Sequence, residues 1–169
     1  MNFQIGEKIV YPNHGIGTVE NISTRSFGSQ LERFYLLRLT SSSMTVMVPF
    51  SHVTNVGLRR VTRNCEVAKV LNFLAEGVCH WKCDWKDRFK ENTERMNSGS
   101  MLEVAEVMKT LVILQQRKPL SFREKKMLDR SRHMLITEIS ICRAVSEEEA
   151  GALIERSLSK CALPMPLPM

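Results

Sequence analysis

Cys79-His80-x-x-Cys83 is the densest grouping of metal-ligating side chains in the sequence. Three candidate ligands within five residues could hold zinc if His14 or His52 approached. Structural zinc sites usually draw on two such pairs, however, and the second pair is absent. With Cys65, Cys142 and Cys161 the chain holds five cysteines, an odd number at irregular spacing, which argues for reduced thiols rather than a disulfide framework. The histidines at 14, 52, 80 and 133 are scattered, and none forms an evident pair with a nucleophile. There is no P-loop, no Gly-x-Ser-x-Gly and no His-Glu-x-x-His. Gly15-Ile16-Gly17 lacks the following helix of a dinucleotide fingerprint and reads as a turn between strands. The sequence therefore predicts no catalytic residue, no metal, no cofactor and no small-molecule substrate. A zinc or thiol enzyme around Cys79, His80 and Cys83 is the least favoured alternative.

The tryptophans carry a different chemistry. Trp85, Phe89 and Met96 lie at i, i+4 and i+11, one side of a helix, and that periodicity alone favours a core stripe. The neighbours point elsewhere. Lys82, Lys86, Arg88 and Lys90 surround Trp85 near a predicted helix start, diluted by Asp84, Asp87 and Glu91. An aromatic set among phosphate-binding cations can wedge into or stack on a base step. The net charge of +6 supports a polyanionic partner, and residues 115–133 hold seven cations against two acids. Both readings of Trp85 stay open at this level.

The elements that must position these residues change character near residue 62. Residues 5–61 read as about five short strands, with breaks at Pro12–Gly15 and Ser26–Ser29. The last of them is placed at Val56–Arg59. Pro49 cannot donate to a ladder, so it belongs at a strand end or an edge. This pattern predicts a small bent antiparallel barrel of the SH3 or Tudor kind. From Asn64 the period is helical: Val67, Val70, Leu71 and Leu74 recur at i, i+3, i+4, i+7, and Gly77 ends that helix. A second helix is predicted from about Asp84 to Asn97. Three Ser-x-x-Glu signatures, Ser100/Glu103, Ser121/Glu124 and Ser146/Glu149, each precede an apolar-periodic run and predict capping boxes. The fold class is α+β: a Tudor/SH3-like β-barrel over 1–61, an all-helical domain over 64–160 and a Pro-rich tail over 161–169 that is disordered or extended. The lack of a signal peptide, of a membrane span and of disulfide spacing predicts a cytoplasmic protein with no membrane partner.

Val10-Tyr11-Pro12-Asn13-His14-Gly15-Ile16-Gly17, Tyr35–Leu39, Met44–Pro49 and Val56–Arg59 resemble the N-terminal half of the bacterial CarD/CdnL transcription regulators. Trp85–Lys90, Gly99-Ser100 with Val104–Val107, and Leu120-Ser121 followed by Glu124–Leu128 resemble the C-terminal half. The resemblance spans about residues 3–142, in order and with similar spacing. It implies a Tudor-like domain docking on the RNA polymerase β subunit and a helical domain contacting promoter DNA at the upstream edge of the bubble, with stabilisation of the open complex. Trp85 matches the family's minor-groove wedge, whereas Trp81 is assigned to packing. Lys86, Arg88 and Lys90 match the DNA-contacting stretch, with phosphate contacts that position without reading sequence. Arg25, Arg38, Met47 and Pro49 fall where the family meets polymerase. The small barrel also resembles the docking module of transcription-repair coupling factors, without their helicase motors. The first alternative is an adaptor on polymerase in which Trp85 is core and no DNA wedge exists.

Overall fold

The computed structural model describes residues 2–169 and divides the chain into one unit ending at Val61 and a second starting at Thr62. The first unit holds β1 (Lys8–Tyr11), β2 (Gly15–Phe27), β3 (Gln30–Leu39), β4 (Thr45–Pro49) and β5 (Arg59–Arg60). All pairings are antiparallel, in the order β4-β3-β2-β1-β5. Among the described residues β4 and β5 do not pair with each other, so the five-stranded antiparallel sheet, compatible with the Tudor-like fold expected, does not close into a complete barrel. The cause lies after β4. Val53–Val56 forms a short helix, α1, closed by Gly57 in the left-handed region at φ 82°. The segment predicted as a strand from Val56 therefore reaches the sheet only at Arg59, and β5 is two residues long.

The core of this unit is Ile9, Val19, Tyr35, Leu37, Val48, Val53 and Leu58, with Phe3 packed among them. The Tyr35 ring stacks on Phe50 at 4.1 Å, and its hydroxyl accepts from the Phe3 amide at 3.1 Å. Successive side chains alternate across a strand, so the core-facing Tyr35, Leu37 and Leu39 leave Phe34, Leu36 and Arg38 on the opposite face of β3.

The second unit contains five helices: α2 (Asn64–Glu76), α3 (Trp85–Asn97), α4 (Met101–Arg117), α5 (Phe122–Arg143) and α6 (Glu147–Ser159). Ser100, Ser121 and Ser146 each accept from the amide three residues on, and at Ser121 and Ser146 the glutamate completes the reciprocal bond. Helix α4 is the hub, buried on most of its circumference from Val104 to Val112, and α2, α3 and α5 pack against it. Gly77, which ends α2, has φ −65°, so it is not there for a left-handed cap. A Cβ at this position would run into the Phe73 ring and carbonyl. Buried Lys109 of α4 donates to the Phe73 and Gly77 carbonyls at 2.9 and 2.7 Å, satisfying the C-terminal end of α2.

The Pro-rich tail, read from the sequence as disordered or extended, forms no helix or strand, yet it lies against the second unit. Leu163 and Met165 pack on the core, and the Met169 amide donates to Asp129 Oδ1 at 3.1 Å. Among the described residues no helix is long and apolar enough to cross a membrane.

Candidate functional site

Trp85 is the first residue of α3 and stands 47% exposed, although the same helix buries Arg88, Asn92 and Met96. The i, i+4 stripe from Trp85 through Phe89 thus holds as core only at its far end: Phe89 is half-buried and Met96 is fully packed. Trp81, by contrast, packs against the hydrophobic core, with the Arg117 guanidinium 5.1 Å from its ring. Lys86 and Lys90 are exposed in the residues that follow Trp85, so two cations and one ring share the start of α3.

Arg88 does not belong with them. Its side chain is buried against Glu124 of α5, with Nη2 and Nε donating to Glu124 Oε1 at 2.8 and 3.1 Å. Nη1 reaches the Lys82 and Cys83 carbonyls at 3.4 Å each. With every nitrogen of the guanidinium engaged inside the domain, it has no fork left for a phosphate. The assignment of Arg88 as a DNA contact is therefore corrected: position 88 falls on the helix face directed at the interior, and the family-matched charge is spent on an internal ion pair.

On the sheet, the register gathers the other four nominated residues onto one face. Arg25 lies opposite Glu32, Pro49 opposite Phe34, Met47 opposite Leu36 and Arg38 opposite Thr45. Directly opposed residues in an antiparallel pair point the same way, and Glu32, Phe34, Leu36 and Arg38 alternate along one side of β3. Phe27 joins the same side, its ring 5.8 Å from Phe34. The result is an apolar stripe of Phe27, Phe34, Leu36, Met47 and Pro49 with Arg25 near one end and Arg38 near the other. The arginines do not meet: Glu32, the partner of Arg25, lies six positions along β3 from Arg38, roughly 20 Å at 3.4 Å per residue. Arg38 is paired with Glu20 at 2.8 Å on the exposed surface. Met44, immediately before β4, is exposed as well.

Cys79, His80 and Cys83 are not brought into a ligand set. Cys79 is buried, Cys83 and His80 are exposed, and among the described residues no group of three His, Cys, Asp or Glu side chains is placed to hold a metal ion. Burial pushes the Cys79 thiol up from its ordinary value, opposed by the neighbouring Thr110 hydroxyl and by the charge of Lys109.

The first unit is thus an antiparallel sheet with an apolar stripe on one face, and the second is a helical unit that exposes a tryptophan followed by two exposed lysines. Residues 3–62 match the CarD-like/TRCF RID domain, and residues 69–155 match the CarD C-terminal domain. Over 147 residues the chain is 35% identical to "Putative transcription factor YdeB" of Bacillus subtilis (strain 168), covering 87% of this chain and 96% of that protein. It is also similar to the solution NMR structure of the 72-residue N-terminal domain of Myxococcus xanthus CarD, at 30% identity and a TM-score of 0.31, covering 35% of this chain and 79% of that one. The chain belongs to the CarD family, transcription regulators that interact with RNA polymerase and not a family of enzymes.

Proposed function

We propose that this protein docks on the RNA polymerase β subunit through the outer face and β4 edge of its sheet, and that its helical unit presents Trp85 to promoter DNA at the upstream edge of the bubble, stabilising the open complex. It acts in the cytoplasm, without catalysis, metal or cofactor. The observation that carries the reading is the exposure of Trp85 at the start of a helix that exposes Lys86 and Lys90 in its next turns while its inward positions Arg88, Asn92 and Met96 are buried. An aromatic ring of this size left half in water loses the burial that would otherwise hold it, so its place is better explained by a partner than by packing. Phosphate contacts from Lys86 and Lys90 hold the domain on the duplex without reading its sequence, and the ring enters where the strands part. The energies are adequate, because about 1.4 kcal/mol shifts a bubble equilibrium tenfold.

Support for docking comes from the stripe on the sheet. One face of an antiparallel sheet normally packs on the core while the other is polar, and here the second face carries Phe27, Phe34, Leu36, Met47 and Pro49. The unpaired side of β4 offers backbone groups for an added strand. The test is the lifetime of open complexes formed by polymerase with the wild type and with Trp85→Ala, alongside binding to the isolated β subunit. The expected result is a shorter lifetime with unchanged β-subunit binding. A lifetime that falls only in proportion to lost folded protein makes Trp85 a packing residue and leaves a polymerase adaptor.

A further inference from the structure

We propose that Cys65 and Cys142 form a peroxide-responsive thiol pair, a modification site at which oxidation ties the start of α2 to the end of α5 by a disulfide. The site is separate from the polymerase and DNA contacts, and none of the residues nominated for those contacts takes part. Cys65 is the second residue of α2 and is exposed, and Cys142 is the penultimate residue of α5, half-buried against the core. Two hydrogen bonds bracket the pair. The Thr62 amide donates to Glu138 Oε1 at 2.9 Å, and Arg143 Nε donates to Asn64 Oδ1 at 2.9 Å. Asn64 adjoins Cys65 in sequence, Arg143 adjoins Cys142, and Glu138 stands one turn before Cys142, so the start of α2 and the end of α5 meet where the two cysteines lie. The thiols are electrostatic neighbours as well, since charge on Cys65 bears on Cys142.

The other cysteines are placed elsewhere. Cys161 Sγ rests on the Leu74 carbonyl at 3.4 Å, and Leu74 is nine residues along α2 from Cys65, roughly 14 Å at 1.5 Å per residue. Cys79 is buried beside Thr110 of α4, and Cys83 is exposed just before α3. Within the pair the two thiols differ. Burial first, with the Glu138 charge adding to it and Arg143 opposing, holds the Cys142 thiol above its ordinary value. The exposed Cys65 therefore meets a solute first, and the half-buried Cys142 closes on it.

The oxidant is a peroxide. The Cys65 sulfur, as thiolate, attacks one oxygen of hydrogen peroxide: an S–O bond forms, the O–O bond breaks, and the departing hydroxide takes up a proton and leaves as water. The Cys142 sulfur gives up its proton and attacks the sulfenic sulfur of Cys65: the S–S bond forms, the S–O bond breaks, and a second water leaves. Each thiol has lost one hydrogen, the pair has lost two electrons, and the peroxide has been reduced to two waters. The product encloses α2, α3, α4 and most of α5 in one covalent loop, and a loop of that length strongly restricts the unfolded chain. The disulfide thus secures the helical unit against unfolding under oxidising conditions, and a thiol reductant reopens it.

The experiment treats the reduced full chain with hydrogen peroxide, blocks the remaining thiols with iodoacetamide and maps the monomeric protein by mass spectrometry without reduction, alongside thermal unfolding. Wild type, Cys65→Ser, Cys142→Ala, Cys83→Ser and Cys161→Ser are compared. The wild type should yield one linked peptide pair joining Cys65 to Cys142, and its thermal midpoint should rise by about 10 °C and return on addition of dithiothreitol. Cys83→Ser and Cys161→Ser should behave the same way. Cys65→Ser and Cys142→Ala should form no such link, and peroxide should not raise their midpoints. Cys65 is exposed, so Cys65→Ser disturbs no core contact and keeps the comparison decisive even if Cys142→Ala folds poorly. If peroxide carries Cys65 to the sulfinic acid while Cys142 remains open to iodoacetamide, the two sulfurs do not meet and the proposal falls. A link from Cys65 to Cys83 or Cys161 overturns it too, as does a Cys65–Cys142 link that lowers the midpoint, because the helix ends must then be pulled out of place to form it.

Discussion

Arg88 and Glu124, 36 residues apart in sequence, form one buried ion pair in which two guanidinium nitrogens share a single carboxylate oxygen. The other oxygen, Oε2, accepts from the Ser121 amide and hydroxyl at 3.4 Å each. One carboxylate thus closes the cap of α5 and holds the first turn of α3, so the helix that carries Trp85 is positioned through the start of another.

Breaking this pair should be costly. Arg88→Met leaves the Glu124 charge buried without its partner, and such losses run to about 3–5 kcal/mol. Glu124→Gln keeps a group able to cap α5 but leaves the guanidinium without its anion. Replacing both residues by apolar ones should be milder than the sum of the two single changes, since no charge is then left unpaired. Urea unfolding of the two single variants and the double variant measures the coupling, and additive effects would mean that the pair contributes no interaction energy of its own.

Lys109 supplies a second internal test. Its ammonium is buried beneath the end of α2 and bonds only carbonyls there, those of Phe73 and Gly77. Lys109→Met preserves the stem but leaves the Gly77 carbonyl without that donor, and should destabilise the helical unit by about 2 kcal/mol. Gly77→Ala should also be destabilising, because the Phe73 ring occupies the space a Cβ needs. Thermal unfolding checks both.

These two lysine and arginine sites mark the limit of what was legible. The change from period two to period 3.6 near residue 62 was visible because strands and helices bury residues at different spacings, and the serine caps announced α4, α5 and α6. Residue type misled at Arg88: a charged residue beside two exposed lysines reads as surface, and its buried partner is remote in sequence. At Gly77 a helix end was legible, but its cause is contact with a neighbouring ring rather than backbone freedom. The β5 boundary was lost because Val56 and Leu58 are apolar enough for a strand, whereas Gly57 takes a left-handed turn that ends α1. The shared face of Arg25, Arg38, Met47 and Pro49 depends on register, including the irregularity between Val19 and Asn21, which no single strand pattern reveals.

The cysteines should separate by reactivity. Cys65, Cys83 and Cys161 are exposed, while Cys79 is buried and its thiol is held above the ordinary value mainly by that burial. At mildly alkaline pH Cys79 therefore carries less thiolate and should alkylate last in the native protein, then at the rate of the others after unfolding. The sign for stability follows. The native state favours the neutral thiol, so this contribution is complete below the unfolded thiol value and is lost as the pH rises through the folded one. Mass spectrometry after timed iodoacetamide labelling checks the order, and early modification of Cys79 would contradict its burial.

Docking on the sheet face predicts a variant that folds but does not bind. Met47 is on the edge strand and already exposed, so Met47→Asp removes no core contact. It does place a charge in the middle of the stripe formed with Leu36 and Pro49, where a partner would have to desolvate it without a matching cation. Binding to the polymerase β subunit should fall by at least about tenfold, with the thermal midpoint unchanged. Tail-side variants such as Leu167→Asp, in the other unit, should leave this binding intact. Equal loss from both would indicate a general effect rather than a contact.

The division of labour at the start of α3 predicts opposite salt behaviour for neighbouring cations. Lys86 and Lys90 are exposed, and each phosphate they neutralise releases a counterion, so Lys86→Ala and Lys90→Ala should each lower the slope of log affinity against log salt by about one. Arg88 is buried on Glu124 and neutralises no phosphate. Arg88→Lys, compared at a temperature where it is still folded, should leave the slope unchanged even though its melting temperature falls, because a lysine cannot reproduce the shared contacts of the guanidinium to Glu124 and to the Lys82 and Cys83 carbonyls. Any affinity it loses should come from the looser start of α3 and so be uniform across salt concentrations. A charge-removing change, Arg88→Met, sharpens the comparison: it removes the same formal charge as Lys90→Ala, so a reduced slope in both would return Arg88 to the DNA surface, whereas a reduced slope in Lys90→Ala alone assigns Arg88 to the interior.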